Sequence, residues 1–132
     1  GPCPQMTRSM TELQTALPQN NLHFVSITVD PDRDTPQALR EYATTYTKDL
    51  SRWTLLTGTR QQTFDVALGM KLAAKPASED QPILHSTRFL LVDASGHVRG
   101  LYDGTDEQGR ARLIDDAAAL CESVEHAKGA AK

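Results

Sequence analysis

Two side chains carry most of the chemical potential of this sequence. Cys3 stands beside Pro4 at the start of a helical pattern, and His85 opens a strongly apolar strand pattern after a polar loop. Free N–H groups and partial positive charge at a helix N-terminus favour a thiolate. The thiolate is both the nucleophile and the metal-binding form of cysteine. A cysteine at a chain end can equally be incidental, and a histidine at a strand end is more often a hydrogen-bonded or solvated residue than a ligand. The Cys-Pro pair at a helix start favours function for Cys3. An imidazole at a strand end can reach a site at the sheet edge.

The remaining polar groups have simpler readings. Asp30, Asp32 and Asp34 superficially resemble a calcium loop, but the later Gly and Glu that such a loop needs are absent. Asp34 fits turn and capping chemistry. Asp30, at a strand end, could support a site at the edge where α/β sheets place theirs. Cys121, between Leu120 and Val124 on a helix face, reads as a small buried hydrophobe. His23, His97 and His126 are assigned to structure or solvent. No phosphate loop, zinc cluster or Ser-His-Asp signature occurs.

The elements that must position Cys3 and His85 follow from periodicity. Met6, Met10, Leu13 and Leu17 define one face of a helix over 4–17, with Pro4 at its first position. Residues 22–29 read as a buried strand. Thr35 and Pro36 then cap and open a helix whose apolar face is Leu39, Tyr42, Ala43 and Tyr46. Residues 53–56 predict a short strand, and 60–69 a helix with Phe64, Ala67 and Leu68 facing in. A polar loop covers 73–84, a strand 85–92, a turn 93–96 and a return strand 97–102. The last helix spans 106–126, with Leu113, Ile114, Ala117, Leu120, Cys121 and Val124 on one side.

Alternating strands and helices predict an α/β layered domain. We expect one domain over 1–126 with a flexible tail over 127–132. The 132 residues suit a single core, and 39% hydrophobic with 23% charged residues is an ordinary composition for a water-soluble domain. Two cysteines are too few for a disulfide scaffold. A net charge of −3 without a dense Lys/Arg run argues against nucleic acid and anionic membrane surfaces as partners. No stretch is apolar enough to span a bilayer.

Taken in order, these features resemble the Sco/SenC family. Cys3-Pro4 followed by Met6 is similar to the second half of that family's Cys-x-x-x-Cys-Pro motif. Val25 to Ala43, with Asp30-Pro31 and Arg33-Asp34-Thr35-Pro36, resembles its strand–turn–helix segment. Trp53, Leu55, Thr57 and Gly58 look like its next strand and turn. His85-Ser86, Asp93, Gly96, Arg99-Gly100 and Tyr102 resemble its histidine-bearing hairpin.

The resemblance implies a three-layer thioredoxin-like fold with a central mixed sheet. It implies copper, as Cu(I) or Cu(II), held by two cysteines and one histidine, here Cys3 and His85. It also implies a role in assembling the copper centre of cytochrome c oxidase, with the oxidase copper-site subunit or another copper chaperone as partner. The implied location is the periplasm behind a membrane tether, or alternatively the mitochondrial intermembrane space. The motif's first cysteine would fall two residues before Gly1, and a thioredoxin-like sheet needs a strand before Cys3. The chain is therefore expected to be N-terminally incomplete. Other readings are a thiol–disulfide reductase using the same cysteine pair, a peroxiredoxin-like peroxidase, which has no need of His85, and an interaction module without an active site.

Overall fold

A computed structural model describes residues 2–18, 21–28, 31–69 and 88–130. The chain forms two compact units, one of Gly1–Leu22 with Thr87–Lys132 and the other of His23–Ser86.

The second unit is a strand–helix–strand motif followed by a helix. β1 (Phe24–Ile27) pairs in parallel with β2 (Trp53–Leu56), Phe24 opposite Trp53. α2 (Pro36–Tyr46) connects them. Its start is specified locally. The Thr35 hydroxyl accepts from the Ala38 N–H at 3.2 Å, and Pro36, which has no N–H to orphan, takes the first turn. The Thr28 hydroxyl donates to the Asp34 carboxylate, tying the end of β1 to the helix entry. Leu39 and Ala43 are buried and the rings of Tyr42 and Tyr46 lie 5.0 Å apart, as the periodicity predicts.

Among the described residues, the strand expected over 22–29 is regular over Phe24–Ile27. α3 (Arg60–Gly69) opens on a reciprocal cap: the Gln62 N–H donates to the Thr59 hydroxyl, and the Thr59 N–H donates to Gln62 Oε1 at 2.9 Å. Its inward face differs from the one expected. Thr63 is buried while Leu68 is 47% exposed. Thr63 tolerates burial because its hydroxyl donates to the Arg60 carbonyl.

The first unit packs two helices with a hairpin. α1 spans Pro2–Ala16 and α4 Glu107–Ala130; β3 (Arg88–Val92) runs antiparallel to β4 (Val98–Asp103). Leu13, Leu17, Leu91, Tyr102, Leu113, Ala117 and Cys121 are buried, so each element contributes to the core. The Asp93 carboxylate organises the hairpin turn. It accepts from the N–H groups of Ser95 and His97 and from Arg99 Nε at 2.7 Å, which hold its pKa below the usual carboxylate value. Gly96 supplies the positive φ, +85°, that the turn requires.

α4 starts at an Asp106 cap, whose carboxylate accepts from the Gly109 N–H at 3.0 Å. Gly109 is a glycine for steric reasons. A Cβ there would stand 2.6 Å from the Asp103 carbonyl oxygen.

Tyr102 Oη donates to Asp116 Oδ2 at 2.6 Å, bridging β4 and α4. Burial first, then the Asp116 carboxylate, pushes the phenol up to about 12. A raised pKa means the neutral phenol stabilises the fold. That contribution is complete below the ordinary phenol value near 10 and is lost as pH rises through about 12. Tyr102→Phe is expected to cost about 1 kcal/mol at neutral pH. It should also flatten the decline in stability between about pH 10 and 12, read from urea midpoints over that range. An unchanged alkaline slope would assign the decline to other groups.

Candidate functional site

Cys3 lies in the first turn of α1, as the sequence predicts, although the helix begins at Pro2 rather than Pro4. The difference is immaterial to capping, since a proline within the first turn removes an N–H that has no helical partner. The first turn of α1 holds no acidic residue, so none of its own side chains opposes a thiolate at the positive end of the helix. His85 and Asp30 lie outside the described residues. The structure thus places one of the three candidate site residues, Cys3, and by its backbone.

What holds α1 in place is not visible in the sequence pattern. The Gly104 carbonyl, in the turn between β4 and α4, accepts from Ser9 Oγ at 2.9 Å and from Arg110 Nη1 at 3.0 Å. Arg110 also pairs with Glu12 at 3.6 Å. Ser9 and Gly104 are both buried, so these bonds satisfy groups that water does not reach. A Cβ on Gly104 would meet Phe89 Cε2 at 2.7 Å and Met6 Sδ at 2.9 Å. The helix that carries Cys3 is therefore seated on a turn where any side chain would have to displace Met6 or Phe89. The glycine within Asp103-Gly104-Thr105-Asp106 signals a turn, but not that a helix from the other end of the chain docks on it.

The other singled-out residues have structural roles. The His23 ring is 2.7 Å from the Thr54 hydroxyl. His97 stands in the Asp93 turn. Arg60 Nε donates to Asp32 at 2.6 Å, and Asp34 is engaged by Thr28. Cys121 is buried, with its carbonyl accepting from Asn21 Nδ2. Among the described residues no three His, Cys, Asp or Glu side chains gather as a metal site.

The donor chemistry that Cys3 and His85 offer fits copper. Thiolate is a soft donor suited to Cu(I), and imidazole suits both copper states.

Comparison with known proteins gives a consistent result. The SCO1/SenC family model matches residues 2–122. The "Putative copper-binding protein" of Stutzerimonas stutzeri is 35% identical over 104 residues, which are 74% of this chain and 50% of that protein. The chain spans about half to three fifths of the length of the curated relatives it matches. Among solved structures, a SCO1/SenC family lipoprotein from Bacillus anthracis superposes with a TM-score of 0.77 at 34% identity, over 89% of this chain and 72% of that one. BsSco, a member of the Sco family of cytochrome c oxidase assembly proteins in which a disulfide switch was identified, gives a TM-score of 0.75 at 29% identity, over 89% and 70%. The fold is thus the thioredoxin-like α/β fold of these proteins, contributed here as one parallel and one antiparallel strand pair among the described residues. With Cys3-Pro4 in the first turn of α1 and the match running from residue 2 to residue 122, the chain belongs to the SCO1/SenC family.

Proposed function

We propose that the protein containing this chain carries copper through Cys3, His85 and the cysteine that the family motif places upstream, and delivers it during assembly of the copper site of cytochrome c oxidase. The observation that carries this reading is Cys3 in the first turn of α1, within a chain that the family model matches over residues 2–122. Copper is cargo here. Cys3 supplies a thiolate favoured by the helix terminus, and His85 supplies an imidazole that tolerates both copper states. Asp30, three residues after β1 in the sequence, is a supporting residue in this reading. The partner is the oxidase copper-site subunit or another copper chaperone. The site of action is the periplasm, or the mitochondrial intermembrane space, with a membrane tether outside this chain. The B. anthracis lipoprotein supports an anchored arrangement, and no helix among the described residues is long and apolar enough to cross a membrane.

A second reading has one specific support, the disulfide switch identified in BsSco. The same two thiols could become a disulfide as a partner disulfide becomes two thiols, so that electrons and protons balance. Copper binding and disulfide formation compete for the same sulfurs.

The decisive experiment titrates the reduced protein with Cu(I) and Cu(II), beside Cys3→Ser and His85→Ala variants. One equivalent is expected to bind, with thiolate-to-Cu(II) charge-transfer absorption. Each substitution should weaken binding by about 100-fold or more, beyond the 10- to 100-fold typical of groups outside a ligand set. Rapid disulfide exchange with no binding of either copper state would displace the copper reading in favour of the reductase.

A further inference from the structure

The apolar stripe of α1 changes character along its length. Leu13 and Leu17 are each 2% exposed. One and two turns nearer the N-terminus the same stripe continues as Met10 and Met6, both half-buried, and it ends at Cys3. The spacing of Cys3, Met6, Met10, Leu13 and Leu17 alternates three and four residues, so all five positions share one face. Leucine fills the part of the stripe closed to solvent. Methionine fills the two half-buried positions nearer the N-terminus.

Met6 is the nearer of the two, and its geometry is defined. Residues three apart on a helix have Cβ atoms about 5–6 Å apart. Helical side chains lean toward the N-terminus, so a residue covers the turn before its own. For Met6 that is the turn bearing Cys3. The Met6 thioether lies against Gly104 and the edge of Phe89: a single Cβ on Gly104 would be 2.9 Å from Met6 Sδ and 2.7 Å from Phe89 Cε2. Gly104 itself is fixed by Ser9 and Arg110. The thioether packs there on a side chain with three rotatable bonds, three positions from Cys3 on the same helix face, and can swing without moving the helix.

A thioether is a neutral, soft donor. It favours Cu(I) and offers little to the harder Cu(II). Resting on the copper-carrying reading above, we infer that Met6 lends its thioether to Cu(I) held at Cys3, biasing the site toward the reduced ion. Met6 is then a specificity-determining residue, setting which copper state the site prefers.

The test uses Met6→Leu, which keeps volume and helix propensity, with Met10→Leu as the control one turn further from Cys3. Cu(I) affinity is measured by competition with a chromophoric cuprous chelator, and Cu(II) affinity by direct titration. Met6→Leu is expected to lower Cu(I) affinity about tenfold with Cu(II) affinity unchanged, equivalent to lowering the copper potential by about 59 mV. Met10→Leu should change neither. X-ray absorption at the copper edge of the selenomethionyl, Cu(I)-loaded protein should show copper–selenium scattering that Met6→Leu abolishes. Equal losses for both copper states, no loss for either, or no copper–selenium scattering would overturn the inference while leaving the copper reading intact. Failure of the unsubstituted protein to bind copper would overturn both.

Discussion

Trp53→Ala is expected to lower the unfolding free energy by about 3–5 kcal/mol, the range for emptying a large aromatic site. Trp53 is 4% exposed and begins β2 directly opposite Phe24 in the parallel pair. Its indole N–H donates to Ser26 Oγ at 3.0 Å, across the two strands. Alanine removes the apolar bulk and leaves the Ser26 hydroxyl without that donor. Total stabilities are only about 5–15 kcal/mol, so this single change brings the fold close to its limit. Trp53→Phe separates the contributions. It keeps much of the buried ring area but loses the hydrogen bond, and should cost roughly 1 kcal/mol for that bond plus a smaller packing loss. The protein has one tryptophan, so both variants are followed by far-UV circular dichroism in urea rather than by intrinsic fluorescence. A loss under about 1 kcal/mol for the alanine variant would show that β2 does not anchor the core.

Trp53–Leu56 and Pro36–Tyr46 illustrate what a local pattern can specify. β2 was legible because a short apolar run is closed by Thr57-Gly58-Thr59, and α2 because Thr35-Pro36 is itself the structural cause of the helix start. The start of α3 was equally local, a Thr59–Gln62 reciprocal cap in the sequence Thr-x-x-Gln, and went unread although its signal was present. Other features depend on the approach of distant segments. Periodicity puts Leu68 inward because it is apolar, but the packed unit buries Thr63, whose hydroxyl finds a carbonyl one turn away. Nothing near Gly104 in sequence reveals that Ser9 donates to its carbonyl, and nothing near Tyr102 reveals Asp116. For the site, helix-terminus physics singled out Cys3, and the structure gives its place in the first turn of α1. His85 was singled out through the resemblance of its surroundings to the Sco/SenC pattern and Asp30 from its place at a strand end, since a histidine there is by itself commonplace; both lie outside the described residues.

Copper loading should appear in stability as well as in spectra. A cargo that binds the folded state and not the unfolded one raises the unfolding free energy by about 2.7 kcal/mol at a hundred times its dissociation constant, and by about 4.1 kcal/mol at a thousand times. The reduced, Cu(I)-loaded protein containing this chain is expected to melt higher than the metal-free form by the corresponding increment, and a cuprous chelator in excess should reverse it. The sign with pH follows from the donors. Copper binds thiolate and neutral imidazole, so protons compete with it, and the increment should shrink as pH falls through the range near 6.5 where an imidazole ordinarily protonates. Oxidation of the cysteine pair before loading should abolish the increment, because a disulfide has no thiolate to offer. His85→Ala should reduce the increment without lowering the melting point of the metal-free protein, since a ligand is asked to contribute only when copper is present. An increment that survives both oxidation and His85→Ala would mean that copper is stabilising the fold through groups other than these two. Cys3 and His85 would then lose their claim as ligands, whatever the family match.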